Sequence, residues 1–247
     1  MIHLVCTGRN TSQWVEQHFD GLLSQETRFP WKCTWIDDAS DDDTLQKIPY
    51  KKCEKLGVPF RWITNDLRRG SLANIERVVR LADPEDIIIL WDSDDFFASK
   101  GVLHRIGREY EDPHCWMTYG GYRTWPAGHM HYSGAYTNPR LARNTHWKCA
   151  PPRSFRAWLF QELADDDLRD EHGEFWLMAT DQAICLPLLE MAGNHAKYIS
   201  TVLYHYNTTN MQSHHYQHIR EQRQTALRIR KRPVKEALEG LSRRRRE

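Results

Sequence analysis

Residues 87–95 read IIILWDSDD. Four aliphatic residues and a tryptophan run directly into Asp92, Asp94 and Asp95, interrupted only by Ser93. An apolar run this short reads as a buried strand, and strands apolar on both faces belong to parallel sheets covered by helices. The acids then stand at the strand's carboxyl end, the edge where open α/β sheets hold their ligands. Three clustered carboxylates repel one another unless a cation neutralises them. The stretch therefore predicts a hard divalent ion, Mn2+ or Mg2+ rather than zinc, gripping an anionic group. Taken alone, DSDD also fits a capped turn after a strand.

Upstream, residues 2–7 (IHLVCT), 33–36 and 60–63 predict three further strands, the second ending in Asp37-Asp38. Between them, Thr11 or Ser12 would cap a helix carrying Trp14, Val15, Phe19, Leu22 and Leu23 on one face. A short helix is expected over 41–48, and one capped by Ser71 with Ile75, Val78, Val79 and Leu81 aligned. This alternation predicts an α/β, Rossmann-like, mostly parallel sheet flanked by helices. Downstream the pattern is less regular. It suggests a helix over 102–110, one strand over 116–125 with a Gly-Gly bulge, mixed signals around Pro151-Pro152, a helix over 181–192 that Pro187 kinks or starts, and a strand over 198–206. Residues 1–219 are expected to form a single domain with halves 1–100 and 101–219, followed by a basic helical or disordered tail, 220–247.

The chain of 247 residues carries net charge +1, unevenly spread. The tail holds 11 Lys/Arg against 4 Asp/Glu and ends in RRRR at 243–246, so the body is acidic at −6. Such a charge block is usually solvated and frayed, or it binds an anionic membrane surface. No specific nucleic acid is expected from the tail alone. The six cysteines contain no CxxC pair and no apolar run approaches a membrane span. Free thiols in a cytoplasmic protein, peripheral at a membrane if the tail binds one, are the expectation.

In a parallel sheet Thr7, Asp37-Asp38 and the 92–95 acids share one edge, which would suit a nucleotide with its base, ribose and phosphates along the strand ends. No GxxxxGK[ST] loop and no GxGxxG follows the first strand, so phosphate binding falls to the cation.

Three segments, VCTGRNTSQWVEQHFDGLLSQ, WIDDASDDDT and NDLRRGSLANIERVVRLADPEDIIILWDSDD, together resemble the nucleotide-binding half of GT-A glycosyltransferases of family 2. HWKCAPPRSFRAWLFQEL, ATDQAICLPLLEMAG and VLYHYNTTN are similar to the acceptor half of a bacterial-type subgroup. The resemblance implies an inverting transferase acting on a nucleotide diphosphate sugar, a uridine one, with a glycan or other hydroxyl as acceptor. It implies Asp38 on the pyrimidine N–H, Asp92 and Ser93 with Thr7 around the nucleotide, and Arg9 and Arg69 near the diphosphate. Asp94, Asp95 and His215 would hold the cation, with His214 one register away. Asp181 would be the catalytic base; without the resemblance it reads as a helix cap. Trp125, Trp147 and Trp176 are candidate acceptor platforms, with core packing expected for at least one. Alternatives are a catalytically silent nucleotide- or glycan-binding module and a sugar-phosphate nucleotidyltransferase, for which Gly8-Arg9 is a poor loop.

Overall fold

The computed structural model describes residues 1–131, 133–210 and 218–238. Eleven strands are formed among them: β1 (Ile2–Gly8), β2 (Trp31–Asp37), β3 (Phe60–Thr64), β4 (Ile87–Asp92), β5 (Phe96–Phe97), β6 (Met117–Gly120), β7 (Tyr122–Trp125), β8 (Met130–His131), β9 (Ala150–Arg156), β10 (Ala196–Tyr198) and β11 (Tyr204–Asn207). The helices are α1 (Val15–Leu23), α2 (Tyr50–Lys55), α3 (Ser71–Val79), α4 (Val102–Glu109), α5 (Ala157–Gln161), α6 (Thr180–Ala192) and α7 (Ile219–Arg230).

Seven strands form the main sheet in the order β10-β6-β9-β4-β1-β2-β3. All neighbours run parallel except β9, which is antiparallel to both β4 and β6. The apolar run that opens the argument is central: Ile88 and Ile89 on β4 are fully buried, on opposite faces. One face packs against α3, α5 and α6 through Ile75, Val78, Phe160 and Leu188, the other against α1 and α4 through Val15, Phe19, Leu103 and Ile106. Helical spacing of these apolar residues is what lets each helix cover the sheet. A small second sheet, β5-β11-β7-β8, stands beside the carboxyl end of β4.

Two expected strands are each divided. Residues 116–125 break at Gly121 into β6 and β7, which belong to different sheets. A Cβ at Gly121 would sit 3.0 Å from Ser133 Oγ and 3.1 Å from the His131 carbonyl, so the crossing needs glycine. Residues 198–206 likewise divide into β10 and β11. The expected helix over 41–48 is a short 3₁₀ turn, and α2 follows it. Ser71 begins α3 rather than capping it, with Gly70 at the cap, and no side chain caps α1.

The expected tail begins as a docked element. Ile229 of α7 is buried. Arg230 donates to the carbonyls of Arg143 and Thr145 at 2.7 and 2.9 Å and to Gln182 Oε1 at 2.8 Å. The Leu238 N–H reaches the Met191 carbonyl at 3.0 Å. Residues 219–238 thus strap the outer side of α6, and the arginine run at 243–246 lies outside the described residues. All six cysteines are buried free thiols. No helix among the described residues is long and apolar enough to cross a membrane.

Candidate active site

The carboxyl ends of β2 and β4 close around Gly8 at the end of β1. Thr7 pairs in register with Asp92, and Gly8 with Asp37. The Asp38 N–H donates to the Gly8 carbonyl at 2.9 Å, and the Ser93 N–H to the Thr7 carbonyl at 3.1 Å. β1 lies between β2 and β4, so Gly8 stands between the acids at their two carboxyl ends. A Cβ on Gly8 would fall 1.6 Å from Ser93 Oγ and 2.7 Å from Ser93 Cβ. Gly8→Ala is therefore expected to destabilise the fold by about 1–3 kcal/mol in denaturant titrations. Adding Ser93→Gly should return much of that loss; equal loss in single and double variants would show that the contact is not the cause.

Asp38 is buried. Its Oδ1 accepts from Asn65 Nδ2, the Arg69 N–H and Asn74 Nδ2, each at 2.9 Å, and its Oδ2 accepts the Gly70 N–H at 2.8 Å. Burial alone would raise this carboxyl, but the four donors outweigh it and hold it below its ordinary value. Asp38 therefore anchors the segment entering α3, and Oδ2 retains acceptor capacity. Thr7 Oγ1 shares a hydrogen bond with Ser71 Oγ at 3.0 Å. Arg9, expected at a diphosphate, is engaged elsewhere: it donates to the Ala39 carbonyl at 3.1 Å and to Asp41 at 2.8 Å. Its role in the structure is to tie the β1–α1 loop to the turn after β2. Arg69 holds Asp38 through its backbone while its side chain is exposed.

The three acids after β4 have different fates. Asp95 is buried, with Tyr204 donating to Oδ2 at 2.5 Å and the Asn207 N–H to Oδ1 at 2.6 Å. Burial, then the charges of Asp94 and Asp92, push its carboxyl well above the carboxylate range. The expectation that Asp95 ligates a cation is thus corrected: its oxygens face inward, and it clamps β11 to the end of β4. Asp94 is half-buried and takes Asn210 Nδ2 on Oδ2 at 2.7 Å, while burial raises its carboxyl. Part of Asp92 is open to solvent, yet the packed walls around it, then the Asp94 charge, push it up to about 6. Asp181 adds to that rise and Arg153 opposes it, so all four groups share one electrostatic environment.

Among the described residues no group of three or more His, Cys, Asp or Glu forms a metal cage. Two crowded carboxylates whose repulsion a cation would relieve nevertheless suit Mg2+ or Mn2+, which characteristically bind through one or two carboxylates plus substrate phosphates. The donor set fits, with Asp94 as holder and Asp92 beside it. His214 and His215 lie outside the described residues.

Asp181 is the second residue of α6, two after Ala179 in the left-handed conformation at φ 51°. Its Oδ2 accepts from Trp147 Nε1 and from Arg153 Nη2, both at 3.0 Å, and its Oδ1 takes the Gln182 N–H at 2.9 Å. Trp147 thus reaches the site. Trp125 is half-buried, edge-on to Phe96 at 5.0 Å, where the second sheet meets the acids. Trp176 is corrected from acceptor platform to core: it is 3% exposed, with Arg228 and Arg232 over its ring at 4.8 and 5.9 Å. Sequence reasoning missed Arg153, which stands on β9 opposite Leu90, two residues before Asp92. β9 also carries Ser154 and Arg156, so nothing in the strand's own pattern set Arg153 apart. Asn207 and Asn210, which position the acids, were quoted but given no role.

Solved structures share this fold. S. aureus TarS matches at 16% identity and TM-score 0.65 over 84% of this chain and 37% of its own. TarS residues 1–349 in complex with UDP-GlcNAc match at 17% and 0.62, over 85% and 59%. The mannosyltransferase PcManGT from Pyrobaculum calidifontis, in complex with GDP-Man and Mn2+, matches at 16% and 0.59, over 87% and 59%. The chain spans less than two thirds of each. The fold is the GT-A fold, a mostly parallel sheet flanked by helices. Residues 4–166 match the family described as glycosyl transferase family 2, and the chain belongs to that family of glycosyltransferases. No curated protein matches the chain.

Proposed function

We propose that the chain moves a sugar from a nucleotide diphosphate sugar, a uridine one, to a hydroxyl of a glycan or similar acceptor, with inversion and with Mn2+ or Mg2+. The observation that supports the reading is that Arg153, opposite Leu90 on β4 and so two residues before Asp92, donates to Asp181 at 3.0 Å, while Asp38 lies across Gly8. In this reading donor-side and acceptor-side carboxylates border one groove. The neighbours crystallised with UDP-GlcNAc and with GDP-Man and Mn2+ support the donor class.

In this reading Asp38 Oδ2 accepts from the base, and Asp92, Ser93 and Thr7 surround the ribose. Asp94 holds the cation, which when bound supplies charge neutralisation to the diphosphate. The acceptor oxygen attacks the anomeric carbon as the bond to the diphosphate breaks, and the electron pair leaves with the diphosphate. Asp181 Oδ1 takes the acceptor's proton. A single displacement inverts the anomeric centre. Trp147 and Trp125 border the acceptor, and the arginine run at 243–246 would place the enzyme peripherally at an anionic membrane in the cytoplasm.

Asp94→Ala is expected to abolish the Mn2+-dependent part of UDP binding in calorimetry, leaving the metal-free part unchanged. Equal metal enhancement in parent and variant would remove Asp94 from the cation.

A further inference from the structure

The mechanism above leaves one buried cation in the groove without a task. Arg153 has a side chain 16% exposed, against 27% for its partner Asp181. Two anchors fix it. Its Nε donates to the Cys149 carbonyl at 2.9 Å, within its own strand approach, and its Nη2 donates to Asp181 Oδ2 at 3.0 Å. An arginine fork pinned by its own backbone on one side presents its other N–H groups in a fixed direction.

Asp181 itself is held from three directions: by Trp147 from the loop before β9, by Arg153 from β9, and by the Gln182 N–H of its own helix. Both side-chain donors share Oδ2, and Oδ1 takes only the Gln182 N–H, so Oδ1 is the oxygen with capacity left for an acceptor hydroxyl. A base must present one defined lone pair to the attacking hydroxyl, and a misplacement of about 1 Å costs roughly 10²-fold in rate. Without Arg153, Oδ2 would keep only the Trp147 indole and Oδ1 only the Gln182 N–H. The guanidinium adds the charge-assisted hydrogen bond that fixes Oδ2 most firmly. Asp181 raises the nearby Asp92 carboxyl and Arg153 lowers it, so Arg153 is a cation close to both acids. Gln182 is in turn held by Arg230 of α7, whose guanidinium also lies 5.9 Å over the Trp147 ring.

We propose that Arg153 is a positioning residue for transfer, acting through Asp181 by fixing which carboxylate oxygen faces the acceptor. This rests on Asp181 being the base in the function proposed above. Acting through Asp181 alone, it is expected to affect the turnover step and to leave donor binding unchanged.

The test has two readouts. In kinetics with a nucleotide-sugar donor, Arg153→Gln should lower kcat about 10²-fold with donor KM unchanged, and Arg153→Lys should recover part of the loss. In an Asp181→Asn background the same Arg153→Gln change should cost nothing further, because its only route of action is gone. Equal losses in both backgrounds would overturn the proposal. The second readout needs no turnover. The indole N–H resonance of Trp147, assigned by Trp147→Phe, reports the bond to Asp181. It should move in Arg153→Gln and return toward its parental position in Arg153→Lys. An unmoved resonance in folded Arg153→Gln protein sinks the positioning role even if transfer is observed. A moved resonance in a chain that turns over no nucleotide sugar leaves Arg153's grip intact and removes the transferase reading instead.

Discussion

Asp181→Asn is expected to lower sugar transfer by about 10²–10⁴-fold, the usual contribution of a positioned general base, while donor affinity stays at the parental value. The expectation follows from where the substitution acts. The asparagine oxygen can occupy the Oδ2 position and accept from Trp147 and Arg153 as the aspartate does. The amide nitrogen then replaces Oδ1, the oxygen left to meet the acceptor, and an amide cannot accept the proton. The hydrogen bonds that hold Asp38 and Asp94 come from Asn65, Asn74 and Asn210 and do not involve Asp181, so the donor side keeps its geometry. Donor affinity by calorimetry, transfer by product formation and thermal stability should be measured on one preparation. Transfer at the parental rate removes Asp181 as the base. Lost donor binding would show that the acceptor and donor sides of the groove are not separable.

How far the sequence carried this site depends on whether the deciding contact was local. The strand over 87–92 was legible because an unbroken apolar run has few other destinations, and the acids following it had to fall at the sheet edge. The Asp37-Asp38 turn was legible for the same reason. Which of Asp92, Asp94 and Asp95 faces outward was not legible, because Tyr204 and Asn207, which turn Asp95 inward, lie more than a hundred residues downstream. Trp147 and Trp176 look alike as isolated tryptophans. One reaches Asp181 and the other is buried under Arg228 and Arg232 because of where α7 docks. The 116–125 stretch was read as a single strand because pattern alone does not show that Gly121 carries the chain from one sheet to another. Arg153 was passed over because the antiparallel insertion of β9 between β4 and β6 has no signature in local spacing.

The basic tail leads to the largest expected effect on stability. Residues 220–247 were expected to be helical or disordered, and their first part is helical, in α7. What fixes the first part of that segment is a fully buried acid on α6, Glu190. It pairs with Arg143 through both guanidinium arms, Nε to Oε1 and Nη2 to Oε2, the latter at 3.2 Å, and accepts the Lys235 N–H at 3.0 Å. Arg143 in turn donates to the Ile229 carbonyl at the end of α7. Burial pushes the Glu190 carboxyl up, and the hydrogen bonds from Arg143 and Lys235 oppose that rise without cancelling it. Glu190→Ala would leave Arg143 buried without its counter-charge and Lys235 without its acceptor. Removing one partner of a buried pair costs about 3–5 kcal/mol, which corresponds to a fall of roughly 6–20 °C in Tm for a chain of this size. The double change Arg143→Met with Glu190→Leu should cost less than Glu190→Ala alone, because no uncompensated charge remains in the core. Calorimetric melting of parent, single and double variants decides it. A single variant within about 0.5 kcal/mol of the parent would mean that the pair is idle, and that α7 is held by Ile229 and the Arg230 hydrogen bonds instead. The transfer assay on the same variants carries the consequence into function. Because Arg230 of α7 braces Gln182 and overlies Trp147, loosening the strap should lower kcat while the Asp38–Asp94 side keeps its nucleotide affinity.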